Sequence, residues 1–174
     1  VLEWGCGPGR LIRHLPALLG PEAEIHGTDY NAESIAWCQA QLPAIQFHHN
    51  DLHPPLPFAD ASFDLVYNYS IFTHLSEPLH YAWRDELLRV LRPGGLLMCT
   101  LQGPSYRYRL RPAEQVRFDA GELIVWDQAR EGHRSFAAFH PPVWVEAFFA
   151  PHTLLAYYEG SRGEQDKWLF RRGK

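Results

Sequence analysis

A chain of 174 residues is one domain by length, and its 46% hydrophobic and 21% charged content is that of a folded globular protein. A formal net charge of -4 argues against a polyanionic partner such as nucleic acid, and no run reaches the roughly 18 apolar residues of a membrane span. The three cysteines, Cys6, Cys38 and Cys99, lack paired spacing, which suits a reduced, cytoplasmic chain and offers no zinc knuckle.

The chain opens with "VLEWGCGPGR", an apolar strand-like run that leads through Glu3 into Gly5, Gly7 and Gly9. Glycine tolerates positive φ and lets a ligand approach the backbone, so this stretch predicts a tight strand-to-helix turn with exposed amides. Val1 lies inside the predicted strand, so we expect a further segment before it. Leu11, Ile12, Leu15, Leu18 and Leu19 fall on one helical face, with Pro16 kinking or ending that helix. "AEIHGTDY" predicts a second strand ending at Asp29, after which Asn31 caps a helix whose Ile35, Cys38 and Leu42 share a face. "AIQFHHND" predicts a third strand, followed by a proline-rich loop that cannot pair in a sheet. "FDLVYNYS" is the fourth strand. The helix "EPLHYAWRDELLRVL" carries Pro78 in its first turn, is stopped by "RPGG", and precedes the strand "LLMCTL".

Strands alternating with helices imply a parallel sheet covered on both faces. The rhythm then breaks. "SYRYRLRPAEQVRF" reads as helical and "GELIVWD" as a short strand. "PPVWVEAFF" opens with prolines where a helix tolerates them, and "TLLAYYEG" with "QDKWLFRR" predicts a closing antiparallel hairpin.

In an open parallel sheet, ligands bind beyond the carboxyl ends of the strands. Glu3, Asp29 and Asp51 stand at three successive strand ends, and Asp29 follows the glycine turn by about 20 residues, the spacing of a ribose-binding carboxylate. The bland reading is that each acid caps the element after it. "HHNDLH" invites a metal reading, but adjacent strand residues point to opposite faces, so His48 and His49 do not converge and no metal is expected.

The segments "VLEWGCGPGRL", "GTDYNAESI", "NDLHPPLPFADASFDLVYNYSIFTHL" and "LLRVLRPGGLLMCTL" resemble the successive motifs of class I S-adenosylmethionine-dependent methyltransferases over residues 1–101. The resemblance implies a Rossmann-like, doubly wound, mostly parallel seven-stranded α/β sheet with a C-terminal antiparallel hairpin. Residues 1–101 would form the cofactor-binding half; 102–174 would form an acceptor-selecting insertion and the hairpin. By the same resemblance S-adenosylmethionine is the cofactor, with Gly5, Cys6, Gly7 and Gly9 wrapping its methionine part. Glu3 would hold that loop and the ammonium, and Asp29 the ribose hydroxyls, with Tyr30 beside the adenine. Asp51 would accept from the adenine amine and Leu52 would offer a backbone amide. Asn68 and Tyr69 would pass under the methionine and the reactive methyl.

Two other readings stay open. A nicotinamide dinucleotide site also uses a glycine turn and an acid, although its third glycine falls three positions after the second, where this chain has Arg10. A cofactor-binding relative without catalysis would keep the same residues. For catalysis, His74 in "YSIFTHL" is the first candidate general base and His140 in "AAFHPPVW" the second, each with a structural alternative. Arg107, Arg109 and Arg111 on alternate positions would meet an anionic acceptor or form a solvated face. Neither an Asn-Pro-Pro-aromatic motif nor a Pro-Cys nucleophile is present, against methylation of nucleic-acid bases. The expected acceptor is an oxygen or nitrogen of a small molecule, and a looser likeness to bacterial methyltransferases points to a sugar or surface-glycan precursor.

Overall fold

Leu2, Glu3 and Trp4 form strand β1, and all three are buried, because a strand at the centre of a parallel sheet is covered on both faces. The computed structural model describes residues 1–133 and 135–174. After β1 come a 3-10 turn at Ile12–His14, helix α1 (Leu15–Leu19), β2 (His26–Asp29), α2 (Ala32–Gln41), β3 (Gln46–His49) and β4 (Phe63–Asn68). Helix α3 (Glu77–Val90) runs straight into β5 (Leu91–Leu101). The later part holds a 3-10 turn at Pro104–Arg109, α4 (Pro112–Asp119), β6 (Ile124–Trp126), β7 (Ala137–Phe139), α5 (Pro142–Phe149), β8 (Thr153–Tyr158) and β9 (Asp166–Arg171).

The main sheet has seven strands in the order β3-β2-β1-β4-β5-β9-β8. The first five are parallel, and β9 runs antiparallel between β5 and β8. The expected mixed, mostly parallel sheet with a closing hairpin is therefore present. Strand order reverses between β1 and β4, so the crevice for a ligand opens beyond the carboxyl ends of these two strands.

Three apolar clusters hold this arrangement. The largest packs Leu79, Trp83, Leu87 and Val90 of α3, and Phe148 and Phe149 of α5, against the sheet. A second, with Ile12, Ile35, Cys38 and Phe47, lies beneath α2. There Asn31 caps the helix as expected, its side chain accepting from the Ser34 amide at 2.8 Å. A small third cluster joins Leu110, Phe118, Ile124 and Phe139 in the later half. Among the described residues, no helix is long and apolar enough to cross a membrane.

Two local expectations are corrected. The first helix is not one apolar-faced element: Leu11, Leu18 and Leu19 are exposed and only Ile12 of the expected face is buried. Pro16 sits in the first turn of α1, where its missing N–H costs nothing, so it begins a new helix and breaks the earlier register. "RPGG" does not separate α3 from β5 but lies within β5, where Gly94 takes φ +77 and the register against β4 shifts between Phe63 and Leu65. The Gly94 amide and the Gly95 carbonyl instead pair with Arg172. Strand β6 joins β7 in a separate two-stranded sheet. The short strand expected in "GELIVWD" is present as β6, whereas its three-residue partner β7 is too short to show a period.

Candidate active site

The turn after β1 lies where the strand order reverses. The amides of Gly5 and Cys6 both donate to the Thr28 carbonyl, at 2.8 and 2.9 Å, which ties the loop to β2. Gly5 has φ +78, which disfavours any side chain, and a Cβ there would also displace the Ile71 side chain. Gly7 has φ +50 and open space where its Cβ would be, which leaves a bare floor. Gly9 serves packing, since its Cβ would press on Leu42 and Cys38 of the α2 region. The Arg13 guanidinium closes the turn from below, donating to the carbonyls of Pro8 and Gly9.

Asp29 organises the loop from the end of β2. Oδ2 accepts from the Gly7 amide at 2.7 Å, and Oδ1 from the Asn31 amide at 2.8 Å. Each carboxylate oxygen keeps a second lone pair for a ligand. Glu3 is 2% exposed and accepts from the Tyr67 hydroxyl at 2.9 Å. Burial pushes its carboxyl up to about 7, with the Tyr67 hydrogen bond pulling the other way.

Two neighbouring spaces lie over this floor. One, of about 60 Å³, is bounded by Asp29, Tyr30, Asp51 and Leu52, with Trp83 behind. The other, of about 610 Å³, is bounded by Glu3, Cys6, Gly7, Arg10, Tyr69 and Ser70. Gly5, Ile71 and His74 border both. The smaller space is far below the ~300 Å³ at which ligand pockets begin. A turn from the later half covers it: the Tyr30 hydroxyl donates to the Gly132 carbonyl at 3.0 Å, and the Gly132 amide to the His74 carbonyl at 2.9 Å.

His74 stands at the junction. Its Nδ1 lies 2.8 Å from the Phe136 carbonyl, which can only accept, so Nδ1 carries the proton and Nε2 the free lone pair.

Glu3, Gly5, Cys6, Gly7, Asp29, Tyr30, Asp51, Leu52, Tyr69 and His74 thus come to one cleft, whereas Gly9, Asn68 and His140 border neither space. Asn68 is fully buried, and neither polar atom of its side chain has a partner among the described residues. His140 is a correction. It is 1% exposed, packs on Trp144, and places Nε2 2.9 Å from Nε2 of His80. His80 Nδ1 donates to the Ser76 carbonyl, so its Nε2 accepts from His140. Such a buried ring has no route to an acceptor and serves packing. Arg107 is also committed elsewhere, since it pairs with Asp119 and Gln115. Arg109 lies over the rings of Trp126 and Phe139. His48 Nε2 lies 3.3 Å from His26 Nδ1, while His49 turns to the Tyr30 carbonyl.

The histidine pair has a consequence for stability. Burial lowers His80 to about 4 and His140 well below its ordinary value, with His140 and the Glu131 carboxylate the titratable groups facing His80. On acidification below pH 6.5 the unfolded chain binds protons that the native pair refuses, so the pair lowers stability as pH falls. Glu3 acts oppositely, because the native state holds its proton between pH 4.5 and about 7. Urea unfolding across this range is expected to show a stability loss on acidification that is smaller in His80→Leu than in the parent. Equal slopes would contradict it.

A glycine floor, a carboxylate at the end of β2 and a cleft at the switch point define a Rossmann-like domain shaped for an adenosyl cofactor. Residues 1–95 match the family model described as a methyltransferase domain, and the chain belongs to that family. It is 35% identical over 129 residues to a probable S-adenosylmethionine-dependent methyltransferase of Mycolicibacterium smegmatis, covering 71% of this chain and 48% of that protein. It is 31% identical over 157 residues to a trans-aconitate 2-methyltransferase of an Azoarcus species, covering 88% and 56%. The chain therefore spans about half the length of these relatives. A solved S-adenosylmethionine-dependent methyltransferase from Methanosarcina mazei superposes with a TM-score of 0.73 at 17% identity, covering 99% of this chain and 91% of that one, a likeness of fold. S-adenosylmethionine is the cofactor these findings support, and the open floor at Gly7 beside the Asp29 carboxylate fits it.

Sequence reasoning did not single out Tyr67, Ile71, Arg13 or Gly132. Tyr67 and Ile71 are apolar-looking members of strand and loop patterns, and Gly132 is one glycine in a polar turn. Nothing local marks Ile71 and Gly132 as lining the cleft, or Tyr67 and Arg13 as bracing the residues that do.

Proposed function

We propose that the protein is a cytoplasmic enzyme that transfers a methyl group from S-adenosylmethionine to an oxygen or nitrogen of a small-molecule acceptor, with His74 as general base. When bound, the cofactor supplies an electrophilic methyl group on a sulfonium. Asp29 would hold the ribose, Asp51 and Leu52 the adenine edge, and Glu3 the ammonium. The carrying observation is the His74 ring, anchored through Nδ1 to the Phe136 carbonyl in a residue that lines both spaces. From there Nε2 would take the proton of an acceptor entering by the larger space. A hydroxyl-bearing acceptor such as a sugar or surface-glycan precursor suits this chemistry, because a neutral hydroxyl must lose a proton as it is methylated. The buried, free Cys6, Cys38 and Cys99 support a reducing compartment.

A second reading rests on the relative named for trans-aconitate. A carboxylate acceptor is already ionised and needs no base. Turnover of labelled cofactor against matched panels of hydroxylated sugars, amines and carboxylic acids is expected to favour hydroxyl or amine acceptors. Turnover confined to carboxylic acids would remove the base role from His74. No turnover with any acceptor, despite cofactor binding, would favour a non-catalytic relative.

A further inference from the structure

We propose that Tyr67 is a positioning residue for cofactor capture, its hydroxyl holding the Glu3 carboxylate turned and ready at the floor of the larger space. This rests on the reading that Glu3 takes the cofactor's ammonium. Glu3 and Tyr67 are registered directly opposite each other on the adjacent strands β1 and β4, so their side chains share one face of the sheet. Both are buried, at 2% and 7% exposure, and the hydroxyl donates to Oε2 at 2.9 Å.

A carboxylate inside a sheet is costly unless donors meet it. Two apolar side chains would pack these positions without that cost. The pair is instead placed where Glu3 lines a space of about 610 Å³, with Tyr67 donating to Oε2 from the adjacent strand. The other groups acting on Glu3 are Asp29, the Arg10 guanidinium, the Ile12 amide and the neighbouring Cys6 and Cys38 thiols. Burial and Asp29 favour the neutral carboxyl, and Tyr67, the Ile12 amide and Arg10 favour the anion. Since Glu3 titrates near 7, losing one donor shifts its charge where it matters, and a neutral carboxyl holds an ammonium poorly.

The test is calorimetry of S-adenosylhomocysteine from pH 6 to 8.5 with the parent, Tyr67→Phe, Glu3→Gln and the double variant. 5′-Methylthioadenosine, which lacks the amino-acid end, is the control ligand. In the parent, affinity for S-adenosylhomocysteine is expected to fall as pH drops through about 7. Tyr67→Phe should raise that midpoint by about one pH unit and weaken binding about fivefold at pH 7 and about tenfold at pH 6. 5′-Methylthioadenosine should bind within about threefold of the parent, and Tyr67→Phe should have no further effect on the Glu3→Gln background. An unmoved midpoint, an equal loss of both ligands, or a Tyr67→Phe effect that survives in the double variant overturns the proposal. If Glu3→Gln itself binds S-adenosylhomocysteine like the parent, it is the ammonium reading of Glu3 that has failed, and the role of Tyr67 falls with it.

Discussion

Asp29→Ala is expected to weaken S-adenosylhomocysteine binding by one to three orders of magnitude. The carboxylate already accepts from the Gly7 and Asn31 amides and would use its remaining lone pairs for the two ribose hydroxyls. Each hydrogen bond to a charged group contributes about 1.5–3 kcal/mol, and 1.4 kcal/mol is a decade in affinity. Part of the loss is indirect, because a free Gly7 amide also loosens the loop floor. Asp29→Asn separates the two effects. Its amide oxygen can still accept from one backbone amide, yet it lacks the charge and the second acceptor that the ribose needs, so binding should fall between the parent and Asp29→Ala. Calorimetry and thermal unfolding of the three proteins measure both. Parent-like binding by Asp29→Ala would show that the ribose does not sit at the end of β2.

His74→Ala should bind S-adenosylhomocysteine within about threefold of the parent yet turn over roughly a hundredfold more slowly or worse. The backbone carbonyl of His74, which holds the Gly132 turn over the smaller space, survives this change. What is lost is the ring and its bare Nε2. The pH dependence of turnover should lose its lower limb, since a base that must be unprotonated is what makes a rate rise with pH. His74→Gln can keep a hydrogen bond to the Phe136 carbonyl but cannot accept a proton, so it should be as slow as His74→Ala. Should His74→Gln retain parent-like turnover and pH profile, the ring braces the Phe136 segment and does no proton transfer. His140 would not take its place, because its ring is sealed against His80 and Trp144.

Much of the cofactor side was legible in a few consecutive residues. Positive φ at Gly5 and Gly7, the Asn31 cap, and the placing of Asp29 at a strand end all depend on neighbours close in the chain. The alternation of strand and helix also dictated a parallel sheet, since parallel strands need crossovers. Where propensity or spacing competed with packing, the prediction failed. Pro16 sits in the first turn of a new helix where it was expected to kink or end one, and the three-residue strand β7 carried no period to detect.

The acceptor side was decided by contacts between residues far apart in the chain. Whether a histidine faces a cleft or a core depends on which helix lands on it. His140 meets His80 from 60 positions away, and His74 finds its Phe136 carbonyl from 62. The sequence ranked His74 first, by its place after the fourth strand, but left each histidine with a structural alternative. Local chain chemistry specifies turns, caps and strand ends within a few residues, whereas burial and the orientation of a ring follow from the packing of whole elements. For this reason the glycine turn and its carboxylates could be read directly from the sequence. The choice between His74 and His140, the Gly132 cover and the Tyr67–Glu3 pair emerged only once β1 and β4 lay side by side and the later half had folded over them.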